Sequence, residues 1–370
     1  MELVVRKTDL LRELQLLQGI VERKNTIPIL ANVLIEAKGD ELWFLATDLE
    51  VGLRSKCPAS VTRNGVLTLP AKKFYEIAKA LPETDIRISE EKGGVKVAAD
   101  RFDSRMQTLP REDFPALPEG GAAPAVKLSG SVFKEMVAKT QFAITGEDTR
   151  YFLNGAQFIL KPDSMILVAT DGHRLALISV PRDGATAKEG EESKAILPKK
   201  TLGELARLLA ESDGDMSYER GENHLFFDVG GRVLISRTID GQFPAYERVI
   251  PKLNDKRIDF ERDRLGNAVR RVALLANERS RVVKFVIENG KVDVLSSSSD
   301  VGEATETLPV DYAGPSMQIC FNAQYVLDFL AAVSTDAVSL ELKDEVSQAV
   351  LKPVGAENYD YTYVIMPMRV

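Results

Sequence analysis

The chain has 370 residues, 44% of them hydrophobic and 28% charged, with a formal net charge of −7 and two cysteines. That length supplies apolar material for two or three cores, and the acidic total speaks against a general polyanion binder. Cys57 and Cys320 are too few and too far apart for a disulfide framework or a metal cluster, which points to a reducing compartment; with no signal pattern and no apolar run of membrane-spanning length, a cytoplasmic protein with no membrane partner is expected.

The first elements predicted are a strand at Leu3-Val4-Val5, a helix over 8–18 with Leu10, Leu11, Leu14 and Leu17 on one stripe, and a hairpin turning at Lys38-Gly39-Asp40. The series then restarts: a strand at Val66-Leu67-Thr68-Leu69, a helix over 72–81 and a hairpin at Lys92-Gly93-Gly94. A middle stretch repeats it with Val126-Lys127-Leu128, a helix over 132–142, a turn near Pro162-Asp163-Ser164 and a second helix over 199–210. The last uses Ile258-Asp259-Phe260, a helix over 264–275, the Asn289-Gly290 hairpin dipeptide and a helix over 323–333. Two landmarks give the period. Pro70 recurs as Pro198 after 128 residues, and Phe114-Pro115 as Phe243-Pro244 after 129.

Each repeat is therefore read as two half-units of one helix and a few antiparallel strands, closing one core with the helices on one side. The fold class is α+β in three tandem similar domains. Breaks with linker composition near 120–124 and 251–255 place them at 1–123, 124–252 and 253–370. The acidic stretch 187–193 reads as a solvated loop.

The words Ala169-Thr170-Asp171-Gly172-His173-Arg174-Leu175-Ala176 invite an enzymatic reading, since a carboxylate that orients an imidazole makes a general base. The only other histidine is His224, and no nucleophile elbow, zinc-binding His-Glu motif, phosphate loop or dinucleotide fingerprint is present. No catalytic residue, cofactor or metal is expected. Gly172 suggests a turn or a place where another chain comes close. Charge is the other clue. The six helical windows together carry +6, leaving −13 for the remainder, and five of the six are basic. A surface lined by such helices attracts phosphate while the outside repels it. With no base-reading motif, any contact with nucleic acid should be to the backbone and independent of sequence. A static DNA-packaging protein would instead need a net basic surface.

The residues also resemble the bacterial sliding clamps, the beta subunits of replicative DNA polymerase, along the whole chain. The most specific words are Ile27-Pro28-Ile29-Leu30, Arg150-Tyr151-Phe152-Leu153-Asn154-Gly155, the 169–175 stretch above, the segment from Phe243-Pro244 to Arg248-Val249, and Met366-Pro367-Met368-Arg369. The resemblance implies a non-catalytic processivity factor. It would be a head-to-tail homodimer closed into a ring around duplex DNA, with twelve helices lining the hole. Twelve helices about 10 Å apart describe a circle about 38 Å across, leaving about 28 Å after about 5 Å of helix radius on each side. Six would leave about 9 Å by the same arithmetic, too narrow for a duplex on the order of 20 Å wide.

The resemblance further implies a pocket for short peptides of polymerase subunits, clamp loader and repair proteins, at Leu153, Thr170, Gly172, His173, Arg174, Leu175, Pro244, Arg248, Val249, Asn322, Tyr325, Val346, Met366, Pro367, Met368 and Arg369. Met and Pro suit a pocket that accepts several sequences. DNA contacts are implied at Lys24, Lys72, Tyr151 and Phe152, with Lys199 and Lys200 on a basic helix; Glu147 stands where a neutral residue is expected. At the subunit boundary Leu274 and Leu275 should face Met106, with Ser104 where an aromatic could stand, a smaller apolar contact that would ease ring opening.

Overall fold

The computed structural model describes residues 1–21, 27–121, 125–146, 148–182, 192–212 and 214–369. The break near 122–124, Lys24, Glu147 and most of the acidic stretch lie outside the described residues. The first third forms β1 (Glu2–Arg6), α1 (Lys7–Leu17), β2 (Asn32–Lys38), β3 (Glu41–Thr47), β4 (Val51–Pro58), β5 (Ser60–Arg63), β6 (Gly65–Pro70), α2 (Ala71–Ala80), β7 (Asp85–Glu91), β8 (Gly94–Ala99) and β9 (Phe102–Met106). The second forms β10 (Val126–Ser129), α3 (Gly130–Ala138), β11 (Gly155–Leu160), β12 (Ser164–Thr170), β13 (Arg174–Pro181), β14 (Ser193–Pro198), α4 (Lys199–Ala210), β15 (Asp215–Arg220), β16 (His224–Val229) and β17 (Arg232–Arg237). The last forms β18 (Lys256–Glu261), α5 (Arg262–Ala273), β19 (Val282–Glu288), β20 (Lys291–Ser298), β21 (Gly302–Pro309), β22 (Met317–Asn322), α6 (Ala323–Ala332), β23 (Ala337–Leu342), β24 (Ala349–Val354) and β25 (Asp360–Ile365).

All six predicted helices are present, and the four hairpins turn where Gly or Asp predicted. Gly290 has φ +76°, the left-handed conformation that the Asn-Gly hairpin requires. The third helix ends earlier than its apolar pattern. Thr140 N–H bonds the Val137 carbonyl and its hydroxyl donates to Met136 O at 2.8 Å, which closes the helix in a tighter turn.

Within the first and last thirds the two helices pack on each other, and the sheets run on across the boundaries between thirds. Every ladder is antiparallel, but two sheets of eight strands each take half their strands from one third and half from the next. The chain accordingly packs as two compact units, one of Met1–Lys134 with Lys200–Thr238, the other of Glu135–Lys199 with Ile239–Val370.

Unit 1 holds a five-stranded sheet, β5-β1-β7-β8-β9, and an eight-stranded one, β10-β15-β16-β17-β4-β3-β2-β6. The joint in the second is β4 against β17, with Leu53 opposite Leu234. On the buried face of α1, Glu13 receives both arms of Arg232 from β17, Nε donating to Oε2 at 2.9 Å and Nη2 to Oε1. Their side chains are 3% and 12% exposed. Both charges are buried against each other, which makes the pair costly to break.

Unit 2 holds the sheet β14-β11-β12-β13-β25-β24-β23-β18 and a four-stranded sheet, β21-β20-β19-β22. The last strand of the chain, β25, is not an edge. It lies between β13 and β24, because β13 would otherwise leave a row of peptide groups unpaired. Phe329 of α6 stacks on Tyr361 and Tyr363 of β25, with ring centroids 5.7 and 5.3 Å apart. Tyr361 donates its hydroxyl to Lys139 O at 2.7 Å, and the buried Lys139 ammonium donates to Ala332 O at 2.9 Å, tying the end of α3 to the end of α6.

Replacing Arg232 by Ala should lower stability by about 3 kcal/mol, because Glu13 is left buried and unpaired. The double replacement Glu13→Gln with Arg232→Met should cost less than the single one. Urea midpoints of the three proteins, with unchanged slope, measure this.

Candidate partner-binding site

The stretch Thr170–Arg174 is a turn built on two side chains. Thr170 Oγ1 donates to Arg174 O at 2.7 Å and accepts from Gly172 N–H at 3.1 Å. Asp171 Oδ1 accepts from the N–H groups of His173 and Arg174 at 2.9 and 3.0 Å, and its Oδ2 accepts from Arg174 Nε at 3.0 Å. The carboxylate is thus spent on the turn and on Arg174, and His173 is left exposed beside it. Gly172 has φ +88°, a conformation that favours glycine, and a Cβ there would lie 3.3 Å from the Arg150 guanidinium.

Arg174 is the fixed point. Its guanidinium is 9% exposed, with Nη1 donating to Asp328 Oδ2 at 2.5 Å and Nη2 to Phe142 O at 2.6 Å. Its plane lies over Tyr325 at 4.3 Å and Phe142 at 5.4 Å. Burial opposes the cation, but Tyr363, Asp328 and Asp171 outweigh it and hold its pKa above the ordinary arginine value. Arg174 therefore positions the turn, with each nitrogen of its fork committed to a partner. Two groups in this frame are ones the sequence does not single out, Asp328, which also accepts from Gln324 at 2.7 Å, and Phe142; Arg150, which the sequence names only as part of a longer word, is held by Asp148 at 3.0 and 2.8 Å. Ion-pair partners 154 positions apart leave no local signal.

Beside the turn, Leu175 belongs to a buried apolar cluster with Phe243, Tyr246, Val350 and Val364, against which Val249 packs half-buried. Pro244 accepts from Tyr246 N–H at 2.7 Å in the tight turn that lays this segment down, and Arg248 is exposed. Leu153 is buried on a short 3₁₀ turn, Tyr151–Leu153. Asn322 caps α6, accepting from Gln324 N–H at 2.9 Å, and Tyr325 stands one turn along under Arg174. The chain end is tied by alternate residues, Met366 N–H to His173 O at 2.9 Å and Met368 N–H to Cys320 O at 2.7 Å, with Pro367 between them. The turn, the apolar cluster, the start of α6 and the terminal segment thus come together. Val346 and Arg369 are exposed.

The basic positions divide. Lys72 is exposed on the first turn of α2, 3.8 Å from Glu76. Lys199 donates to Ile144 O at 3.0 Å. Lys200 is committed internally, its ammonium against the buried carboxylate of Asp48 and donating to Ile20 O at 3.0 Å, so its charge is largely cancelled where it stands. Tyr151 is 56% exposed, edge-on to Phe152 at 6.0 Å.

Of the boundary positions, Leu274 is 80% exposed, Leu275 half-buried and Met106 buried. Met106 is thus largely covered within the single chain, and Ser104 Oγ donates to Val97 O at 2.9 Å. Phe102, two and four residues earlier on the same face of β9, is the aromatic that the sequence reading did not name, and it is 40% exposed.

Among the described residues no group of three or more His, Cys, Asp and Glu side chains could hold a metal ion, and no helix is long and apolar enough to cross a membrane. Comparison with known proteins accounts for the whole chain. Residues 1–118, 127–245 and 247–369 match the N-terminal, central and C-terminal domains of the DNA polymerase III beta subunit. The chain is 38% identical to the beta sliding clamp of Pseudomonas putida and 33% to that of Escherichia coli K12, covering all of each. Its structure superposes on a Pseudomonas aeruginosa DNA polymerase sliding clamp with a TM-score of 0.92 at 35% identity, and on the clamp from the same organism bound to griselimycin with 0.94, over the full length of both. The chain belongs to the DNA polymerase III beta subunit family, the beta sliding clamps, which are non-catalytic processivity factors.

Proposed function

We propose that two copies close head to tail around duplex DNA and that the turn at Thr170–Arg174 receives the apolar anchor of short peptides from polymerase, loader and repair partners, so that the clamp holds them on the template. The observation that carries the peptide reading is the joining of a rigid turn to half-buried apolar surface. Arg174, Asp171 and Asp328 fix the backbone, while Val249, Pro244 and Met366 offer apolar atoms beside it, backed by the buried Leu175. A preformed frame loses little freedom when a peptide docks. The three domains at 1–123, 124–252 and 253–370 are, in this reading, the repeating sectors of the ring.

Two observations favour a second copy as the first partner. β9 and β21 are each paired on one side only, and apolar side chains stand exposed near them, Phe102 on β9 and Leu274 just past α5. Pairing would satisfy the edges and cover the apolar groups together. DNA would be held by enclosure more than by contact: Lys72 and Tyr151 are exposed, whereas Lys200 is neutralised by Asp48.

Changing Leu274 and Leu275 to Asp should give a folded monomer by sedimentation at micromolar concentration, where the unaltered chain sediments as a dimer; a monomeric unaltered chain in low salt would overturn the ring. Clamp loaded on circular DNA should stay bound and be lost when the circle is cut, and equal retention on linear DNA with free ends would contradict enclosure. Truncation after Ile365 should weaken an apolar-anchored peptide by at least ~2 kcal/mol, about thirtyfold. Calorimetry on two folded, dimeric proteins decides that case, and equal affinities would place the pocket elsewhere.

A further inference from the structure

The turn that carries the candidate site occurs twice. In unit 1, Thr47-Asp48-Leu49-Glu50-Val51 repeats four of the bonds of Thr170–Arg174, with Val51 in place of Arg174 and Asp48 Oδ2 paired with Lys200 instead. Thr47 Oγ1 donates to Val51 O at 3.1 Å and accepts from Leu49 N–H at 2.9 Å. Asp48 Oδ1 accepts from the N–H groups of Glu50 and Val51 at 2.9 and 2.7 Å. Each turn opens a strand, β4 or β13, that pairs with a strand from the following third. There too the peptide groups correspond: Arg237 N–H bonds Glu50 O at 2.8 Å as Met366 N–H bonds His173 O at 2.9 Å. Even the left-handed position is kept. Leu49 has φ +80° where Gly172 has +88°, a conformation leucine adopts at a cost, and its side chain is 46% exposed.

The linings differ. The residue after the turn is Leu175 in one copy and Gly52 in the other, and at Gly52 the space is taken by a leucine from elsewhere in the chain. A Cβ on Gly52 would lie 2.5 Å from Leu117 Cδ1. Leu117 follows Phe114-Pro115-Ala116 as Tyr246 follows Phe243-Pro244-Ala245, but Tyr246 is buried in its cluster whereas Leu117 is only half-buried. The rims differ in charge as well, with exposed Glu50 and Glu119 at the positions of His173 and Arg248.

We propose that the turn at 47–51 is a second peptide-docking frame, held shut by the chain's own Leu117, and that once open it takes an apolar anchor flanked by basic residues. The proposal rests on reading the turn at 170–174 as a peptide site. Its intramolecular occupant would leave one open site per chain, the basic preference following from Glu50 and Glu119. Affinity at the opened copy should be roughly tenfold or more below that of the first, since Gly52 and Gly120 replace the apolar walls Leu175 and Val249.

The test is calorimetric titration of the full-length chain with an acetylated hexapeptide carrying Leu-Leu at one end and Lys-Lys at the other. Unaltered protein should bind one peptide per chain and Leu117→Ala two, and adding Glu50→Lys should return the count to one. Leu117→Val, a smaller truncation of the same side chain, serves if Leu117→Ala does not fold. One peptide per chain in the unaltered protein and in both variants overturns the proposal. No binding to unaltered protein with one peptide on Leu117→Ala removes the reading of the 170–174 turn and upholds this one; no binding to either removes both.

Discussion

An antiparallel strand with one neighbour leaves half its peptide groups to water, and much of this molecule follows from where that deficit is met. Both β4 and β13 would end their own half-unit as unpaired edges. Instead β17 and β25 pair with them, and each pairing turns two four-stranded pieces into one eight-stranded sheet. A backbone ladder of this kind sets a register, and a slip of one residue would turn Leu175 and Val364 away from the cluster they share. The candidate site inherits its precision from that ladder. His173 and Met366 are brought together because the strands they flank are in register, and no loop has to hold them.

Buried charge then refines what the ladder begins. In unit 1, Glu13 with Arg232 and Asp48 with Lys200 tie helices to the shared sheet. In unit 2, Arg174 joins the turn to α6 through Asp328, and Lys139 joins α3 to the carbonyl at the end of the same helix. Such pairs add little net stability over apolar packing, but they are directional, and a wrong arrangement strands a charge. They select one way of joining the pieces.

What could be read from the amino acids follows from range. The six helices were legible because an apolar stripe at helical spacing needs only about a dozen neighbouring residues, and hairpins such as Asn289-Gly290 because the turn chemistry is local. The pairing of β13 with β25 was not, since nothing in Tyr361-Thr362-Tyr363 says which of two apolar strands it will lie beside. The site shows the same division. Asp171, Gly172 and the terminal Met-Pro-Met stood out as words, but the partners that make Arg174 immobile, Asp328 and Phe142, are ordinary residues on helical surfaces. Lys200 read as free positive charge because Asp48 is brought to it only by folding. Phe102 was passed over for Ser104, although the two share a face of β9.

The central place of β25 has a consequence for biosynthesis. A ribosome delivers β13 long before the strand that begins at Asp360, so the sheet of unit 2 has to wait with a long, apolar edge unsatisfied. During that interval β13 is open to pairing with the wrong strand, including its counterpart on a neighbouring nascent chain. Loop closure over such a separation is slow, which sets unit 2 as the late-folding part of the molecule. The turn at Thr170–Arg174 and the chain end are therefore among the last parts to be joined, and an unfinished chain lacks the ordered contact between His173 and Met366.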